Sequence, residues 1–188
     1  MAETTMVREK QEIGLPVSDF SLRQVGGKMR TLGDFLEGKK GAVACFWSGI
    51  CSHCQRYDAY MNEFAGRHPD FAFFGIASRH DESAENVAAA IKERNLRFPV
   101  LHDPKGVVAR QWYVQQTPRV FLIDASDRKL LYRGAIDNFK LGDDSDFQAY
   151  LEPAMAQFLA GEPIVKNETA SFGCAIQSVY YILPKPLF

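Results

Sequence analysis

The sequence predicts an α/β sandwich on a central sheet of mixed strand direction, and three observations carry that prediction. Two continuous apolar runs, GAVACFW (41–47) and FAFFGIAS (71–78), are too short for typical helices and suit strands buried on both faces. Each is followed by a stretch with helical spacing. Farther on, RVFLID (119–124) and KLLYRG (129–134) flank the polar turn A-S-D-R, a hairpin signal, ahead of a last helical stretch. Strand, helix, strand, helix, then a hairpin and a helix make a layered α/β domain.

The elements follow in order. Residues 1–12, largely polar, read as a flexible arm. F-S-L (20–22) and M-R-T-L (29–32) around GGK (26–28) form a small N-terminal hairpin. After the first buried strand, Cys54, Tyr57, Met61 and Phe64 recur at three- and four-residue steps, which predicts one helix from Cys51 that Gly66 and Pro69 close. Asp81 or Ser83 is placed to cap the helix over ENVAAAIKERN (85–95). FPVL (98–101) reads as a short strand and GVVARQWY (106–113) as a short helix with Val108 and Trp112 on one side. The terminal helix spans 146–161, with Pro153 expected to kink or divide it. The domain therefore runs over 13–161. Residues 162–188 are an extension whose apolar end, SVYYILPKPLF, is expected to pack on its own domain or on a second subunit, as in a homo-oligomer.

Composition bounds the function. Of 188 residues 46% are hydrophobic and 24% charged, the profile of a globular domain, and the net charge of −1 gives no reason to expect a nucleic-acid partner. No apolar run reaches the roughly 18 residues needed to cross a bilayer. The N-terminus lacks the apolar core of a signal peptide, so the chain reads as cytoplasmic, or as periplasmic or secreted if a leader has been removed upstream. Four cysteines, Cys45, Cys51, Cys54 and Cys174, are too few to staple a scaffold of this length.

Cys51 and Cys54 sit in GICSHCQ, directly after a buried strand. A cysteine at a helix start meets unpaired N–H groups and about half a positive charge, which favour the nucleophilic thiolate. Cys54 lies nearly one turn deeper on the same side, so the outer sulfur attacks and the inner one resolves. His53, with Ser52 beside it, is placed to tune the pair, because a nearby imidazolium stabilises a thiolate and hence the reduced form. No metal is expected. Structural zinc wants four ligands, whereas Cys174 is alone and His68, His80 and His102 are scattered. Haem attachment wants His after the second Cys, where Gln55 stands. No cofactor is called for, and the expected partner is a protein or small-molecule thiol or disulfide.

Residues 14–54, from GLPVSDF to CSHC, resemble the opening of the redoxin branch of the thioredoxin superfamily, which holds the TlpA-like thiol oxidoreductases and the AhpC/TSA peroxiredoxins. The likeness continues through residues 106–137, and the Gly-Cys at 173–174 is similar to that of peroxiredoxin-like thioredoxin-family proteins. The resemblance implies a thioredoxin-like fold and a cis proline at Thr117-Pro118 that pairs with an extended substrate segment, with Trp47 walling the site. It implies a thiol–disulfide oxidoreductase, with Cys51 as nucleophile and Cys54 as resolving thiol. Two features depart from the pattern. Cys45 stands where thioredoxins bury an acid, and is read as a small core hydrophobe. Ala44 stands where peroxiredoxins carry proline, although Ser48 fits their nucleophile loop. A peroxidase using Cys51, with Arg119 beside the peroxide and Cys54 or Cys174 resolving, therefore stays open, as does a redox-sensitive interaction module. Cys174 is either a third redox station or an idle thiol.

Overall fold

A computed structural model of the chain describes residues 12–139 and 145–176. Most of the N-terminal arm and the apolar end read as an oligomer contact lie outside them.

The strand β3 (Gly41–Trp47) is the spine, with no residue exposed along its length. It pairs in parallel with β4 (Phe71–Ala77), from Gly41 opposite Phe71 to Trp47 opposite Ala77, and antiparallel with β7 (Arg119–Asp124). Outward from β4 come β5 (Val100–His102), then β1 (Ser21–Gln24) and β2 (Met29–Thr31). Outward from β7 comes β8 (Leu130–Gly134), which completes a seven-stranded mixed sheet. The N-terminal hairpin thus covers the β5 edge, with Arg23 opposite His102.

Alternation along β3 splits the core into two layers. Val43, Cys45 and Trp47 face one side, packed with Met61 and Phe64 of α3 (Asp58–Arg67) and Met155 of α6 (Leu151–Leu159). Ala42, Ala44 and Phe46 face the other, with Phe35 of α1 (Leu32–Leu36) and Val108 of α5 (Val107–Gln111). There Phe35 stacks on Phe74 with ring centroids 4.0 Å apart, and Trp112 packs against Phe20, Phe46 and Phe121. Side chains of this size contribute about 1.5–3 kcal/mol each when fully buried. The remaining helix, α4 (Ala84–Glu93), is capped by Ser83 rather than Asp81.

Several sequence expectations need correcting. The helix expected to run on from Cys51 is two helices, α2 (Ser52–Gln55) and α3, separated at Arg56 and Tyr57. Apolar spacing of three and four persists across the break, which is why periodicity alone missed it. The stretch 32–36 is a helix, opened by a capping box in which Thr31 Oγ1 accepts from the Asp34 N–H and the Asp34 carboxylate accepts from the Thr31 N–H. Pro153 neither kinks nor divides α6. The helix begins at Leu151, so the proline falls in its first turn, where no intrahelical N–H bond is lost. The residues before it bridge back instead, with Ala149 opposite Asp137. The first part of the extension lies against the domain. Cys174–Ala175 form β9, which pairs antiparallel with β6 (Gln116–Thr117), and Glu168 bridges Arg133 on the outer edge of β8.

Candidate active site

Chain leaving the buried end of β3 at Trp47 turns through Ser48, Gly49 and Ile50 to reach Cys51. Two long-range contacts fix that turn at Gly49. Its N–H donates to Glu82 Oε1 at 2.7 Å, and its carbonyl accepts from Arg94 Nη1 at 2.9 Å. Arg94 is itself held by Asp58 and lies over the Trp47 ring, 5.0 Å from its centroid. A Cβ at position 49 would come within 2.6 Å of Ala90 Cβ and 3.0 Å of Glu82 Oε1, so only glycine fits between the two grips. Trp47 therefore lies under the loop within the core, rather than walling a groove.

Cys51 is 1% exposed and Cys54 fully buried. Cys51 Sγ lies 3.4 Å from the carbonyl oxygen of Thr117, whose peptide bond to Pro118 is cis as expected from the sequence. The two sulfurs ionise in opposite senses. A hydrogen bond from the Cys54 thiol is the largest influence holding Cys51 down, to about 4, against the opposing effect of burial. The Cys174 thiol, the Thr117 side chain and the Cys54 backbone N–H add to it. Burial first, and then the Cys51 sulfur, push Cys54 well up. A thiolate beside a retained proton is the arrangement that dithiol exchange needs.

The source of this poise differs from the expected one. Helix α2 has only four residues and a small dipole, so neighbouring donors rather than a macrodipole hold the charge. His53 is not among those donors. His53 lines a cavity of about 480 Å³ with Tyr57, Pro118, Asp137 and Phe172. Ser52 is exposed on the first turn. Ser48 is buried with its hydroxyl unpartnered. Arg119 hydrogen-bonds Ser171 Oγ at 3.1 Å and lies 3.9 Å from Glu168, so its partners are on the C-terminal extension rather than at Cys51. Cys45 stays a thiol, since burial pushes it up to about 12. Among the described residues, no three His, Cys, Asp or Glu side chains group to hold a metal, and no helix is long and apolar enough to cross a membrane.

Cys174 comes to the site from 120 residues beyond the dithiol in sequence number, opposite Thr117, whose carbonyl oxygen lies 3.4 Å from Cys51 Sγ. Sequence separation carried no signal of this. Nor did it reveal Glu82 and Arg94, which act on Gly49 from other elements.

Comparison with known proteins agrees with this geometry. The AhpC/TSA family model matches residues 13–132. The thiol-disulfide oxidoreductase ResA of Bacillus thuringiensis subsp. konkukian is 34% identical over 116 residues, covering 62% of this chain and 66% of that protein. The chain thus spans just under two thirds of the curated relatives' length. A hypothetical protein of Sinorhizobium meliloti 1021 superposes with a TM-score of 0.79 at 28% identity, covering 91% of this chain and 97% of its own. A secreted Mycobacterium tuberculosis disulfide oxidoreductase homologous to E. coli DsbE superposes with a TM-score of 0.51 at 25% identity, covering 58% and 79%. The fold is thioredoxin-like.

Proposed function

The chain belongs to the AhpC/TSA family, and from that premise we propose that it is a thiol–disulfide oxidoreductase working through Cys51 and Cys54. The observation that carries this reading is the placement of two buried cysteines at the start of α2, Cys51 with its sulfur 3.4 Å from the Thr117 carbonyl oxygen beside Pro118 and Cys54 three residues on. The Cys51 thiolate attacks one sulfur of a partner disulfide, forming a mixed disulfide and releasing the partner's other sulfur as a thiolate. Cys54 then loses its proton and attacks Cys51, closing the Cys51–Cys54 disulfide and freeing the reduced partner. The same steps in reverse oxidise a dithiol. The cavity beside Pro118 offers space for side chains flanking the partner's sulfur, walled by Ile136, Phe139 and Tyr57, whose hydroxyl donates to Asp137 at 2.6 Å.

A disulfide-exchange assay tests this. Cys51→Ser is expected to abolish turnover, and Cys54→Ser to stall with the partner attached to Cys51. Turnover persisting in Cys51→Ser removes the proposal.

A peroxidase reading draws on the family match and on the Cys51 thiolate, which would become a sulfenic acid resolved by Cys54 or Cys174. Engagement of Arg119 with Ser171 and Glu168 counts against it. Consumption of hydrogen peroxide no faster than by free cysteine disposes of it. The reduction potential measures whether the pair gives or takes electrons.

A further inference from the structure

The C-terminal extension occupies the place where a thiol partner would lie. Cys174 stands opposite Thr117 and Ala175 opposite Gln116 in an antiparallel ladder, and the Ile176 N–H continues it to the Gln115 carbonyl at 2.9 Å. Such strand addition to an exposed backbone edge is a standard way to hold an extended peptide. Here it delivers a thiol to the neighbourhood of the reactive sulfur, since Thr117, the register partner of Cys174, has its carbonyl oxygen 3.4 Å from Cys51 Sγ. The segment is anchored on both sides. Arg79 Nη1 donates to the Ala175 carbonyl at 2.8 Å, Ile176 is fully buried, and Gln116 and Arg119 bind Ser171. Gly173 makes the close approach feasible, because a Cβ there would lie 1.7 Å from the Thr117 carbonyl oxygen. With the segment seated, Cys51 is 1% exposed, whereas Cys174 is only partly buried.

We propose that residues 171–176 are a tethered substrate strand, and that Cys174 is a third redox station connecting the enclosed dithiol to outside dithiols. This rests on the oxidoreductase reading of Cys51 and Cys54. In the oxidised protein, Cys174 gives up its proton and attacks Cys51 Sγ. The Cys51–Cys54 bond breaks, the Cys51–Cys174 bond forms, and the electron pair leaves on Cys54, which takes up a proton. No external oxidant is needed, because the disulfide only moves. A dithiol partner then attacks Cys174, expelling Cys51 as a thiolate, the best leaving group of the three. The partner's second thiol attacks its own sulfur bound to Cys174, which leaves as a thiol, with the partner now a disulfide and the protein reduced. Run backwards, the sequence reduces a partner disulfide.

The test uses the full chain, oxidised in a glutathione buffer, quenched with acid, alkylated and mapped without reduction, alongside turnover of a protein dithiol. The expected result is a Cys51–Cys174 linkage beside Cys51–Cys54. Gly173→Ala, which unseats the strand and leaves every cysteine in place, is expected to remove the first linkage and keep the second. Cys174→Ser is expected to slow turnover by roughly tenfold or more. Finding Cys51–Cys54 as the sole linkage, or undiminished turnover in Cys174→Ser, overturns the relay while leaving the dithiol reading intact. No Cys51 linkage at all, with no turnover in the native protein, overturns both. Circular dichroism of Gly173→Ala and Cys174→Ser confirms that each is folded, and Cys174→Ala provides a second measure of the thiol if the serine disturbs the strand.

Discussion

Glu82 holds Gly49 through a hydrogen bond of 2.7 Å between its carboxylate and the glycine N–H, from a side chain that is almost wholly buried. The contact joins the start of α4 to the loop presenting Cys51, two elements 33 residues apart. Glu82→Ala leaves that N–H buried without an acceptor, and a charge-assisted bond of this kind contributes about 1.5–3 kcal/mol. Urea unfolding is expected to show a loss of that order, with Glu82→Gln recovering most of it. Equal losses in the two variants would mean that the charge, not the hydrogen bond, matters.

Gly49→Ala carries a separate expectation. The added methyl meets Ala90 Cβ at 2.6 Å, and overpacking of this kind costs about 1–3 kcal/mol. Ala90→Gly in the same chain is expected to return part of the loss in thermal melts. No rescue would place the strain elsewhere.

The ionisation of Cys51 sets a pH dependence. Its pKa in the reduced fold is depressed, from the free-cysteine value of about 8.5 to about 4. The stability this adds is therefore fully present above the unfolded value, shrinks as the pH falls, and is gone below the folded one. Burial raises Cys54 and Cys174, so their contribution runs oppositely and is lost at alkaline pH. The denaturant midpoints of wild type and Cys51→Ser, compared under reducing conditions, are expected to converge between these limits as the solution is acidified. Thiolate absorbance gives an independent check, with its inflection in the acid range. A parallel pair of curves would contradict the assignment.

The same depression predicts the redox poise. Stabilising a thiolate stabilises the reduced pair, so the potential is expected to lie positive of thioredoxin's value of about −270 mV, toward DsbA's of about −120 mV. Equilibration against glutathione measures it. A value at or below the thioredoxin one would assign this protein to a reducing role.

Cys45 is expected to be redox-silent. Buried in β3 and held protonated by that burial, it reacts with no alkylating reagent in the native state. Cys45→Ala is expected to cost about 1 kcal/mol through the small void it leaves, with exchange activity unchanged. Loss of activity would make Cys45 the proton acceptor that the thioredoxin pattern places there.

What the sequence disclosed, and what it withheld, divides by range. The runs at 41–47 and 71–78 announce a doubly buried strand pair because every side chain along them is apolar. The dithiol and Thr117-Pro118 are likewise readable as short motifs. The break between α2 and α3 was hidden because apolar spacing continues across it, and the helix at 32–36 because Gly33 interrupts a five-residue pattern. The grip of Glu82 and Arg94 on Gly49, and the arrival of Cys174 at Thr117, depend on contacts 33 to 57 residues distant, for which local pattern has no vocabulary.

The run of chain that brings Cys174 inward first lies along β8. The Arg133 N–H donates to the Asn167 carbonyl, the Thr169 N–H donates to the Arg133 carbonyl, and Thr169 Oγ1 accepts from the Ala135 N–H at 3.0 Å. Those bonds occupy backbone groups that a bare border strand would offer to any passing chain. Clipping the peptide between residues 161 and 167 and letting it drift away would thus have a cost unrelated to electron traffic. The molecule would become self-adhesive, and its solubility would fall together with the protection of its thiols.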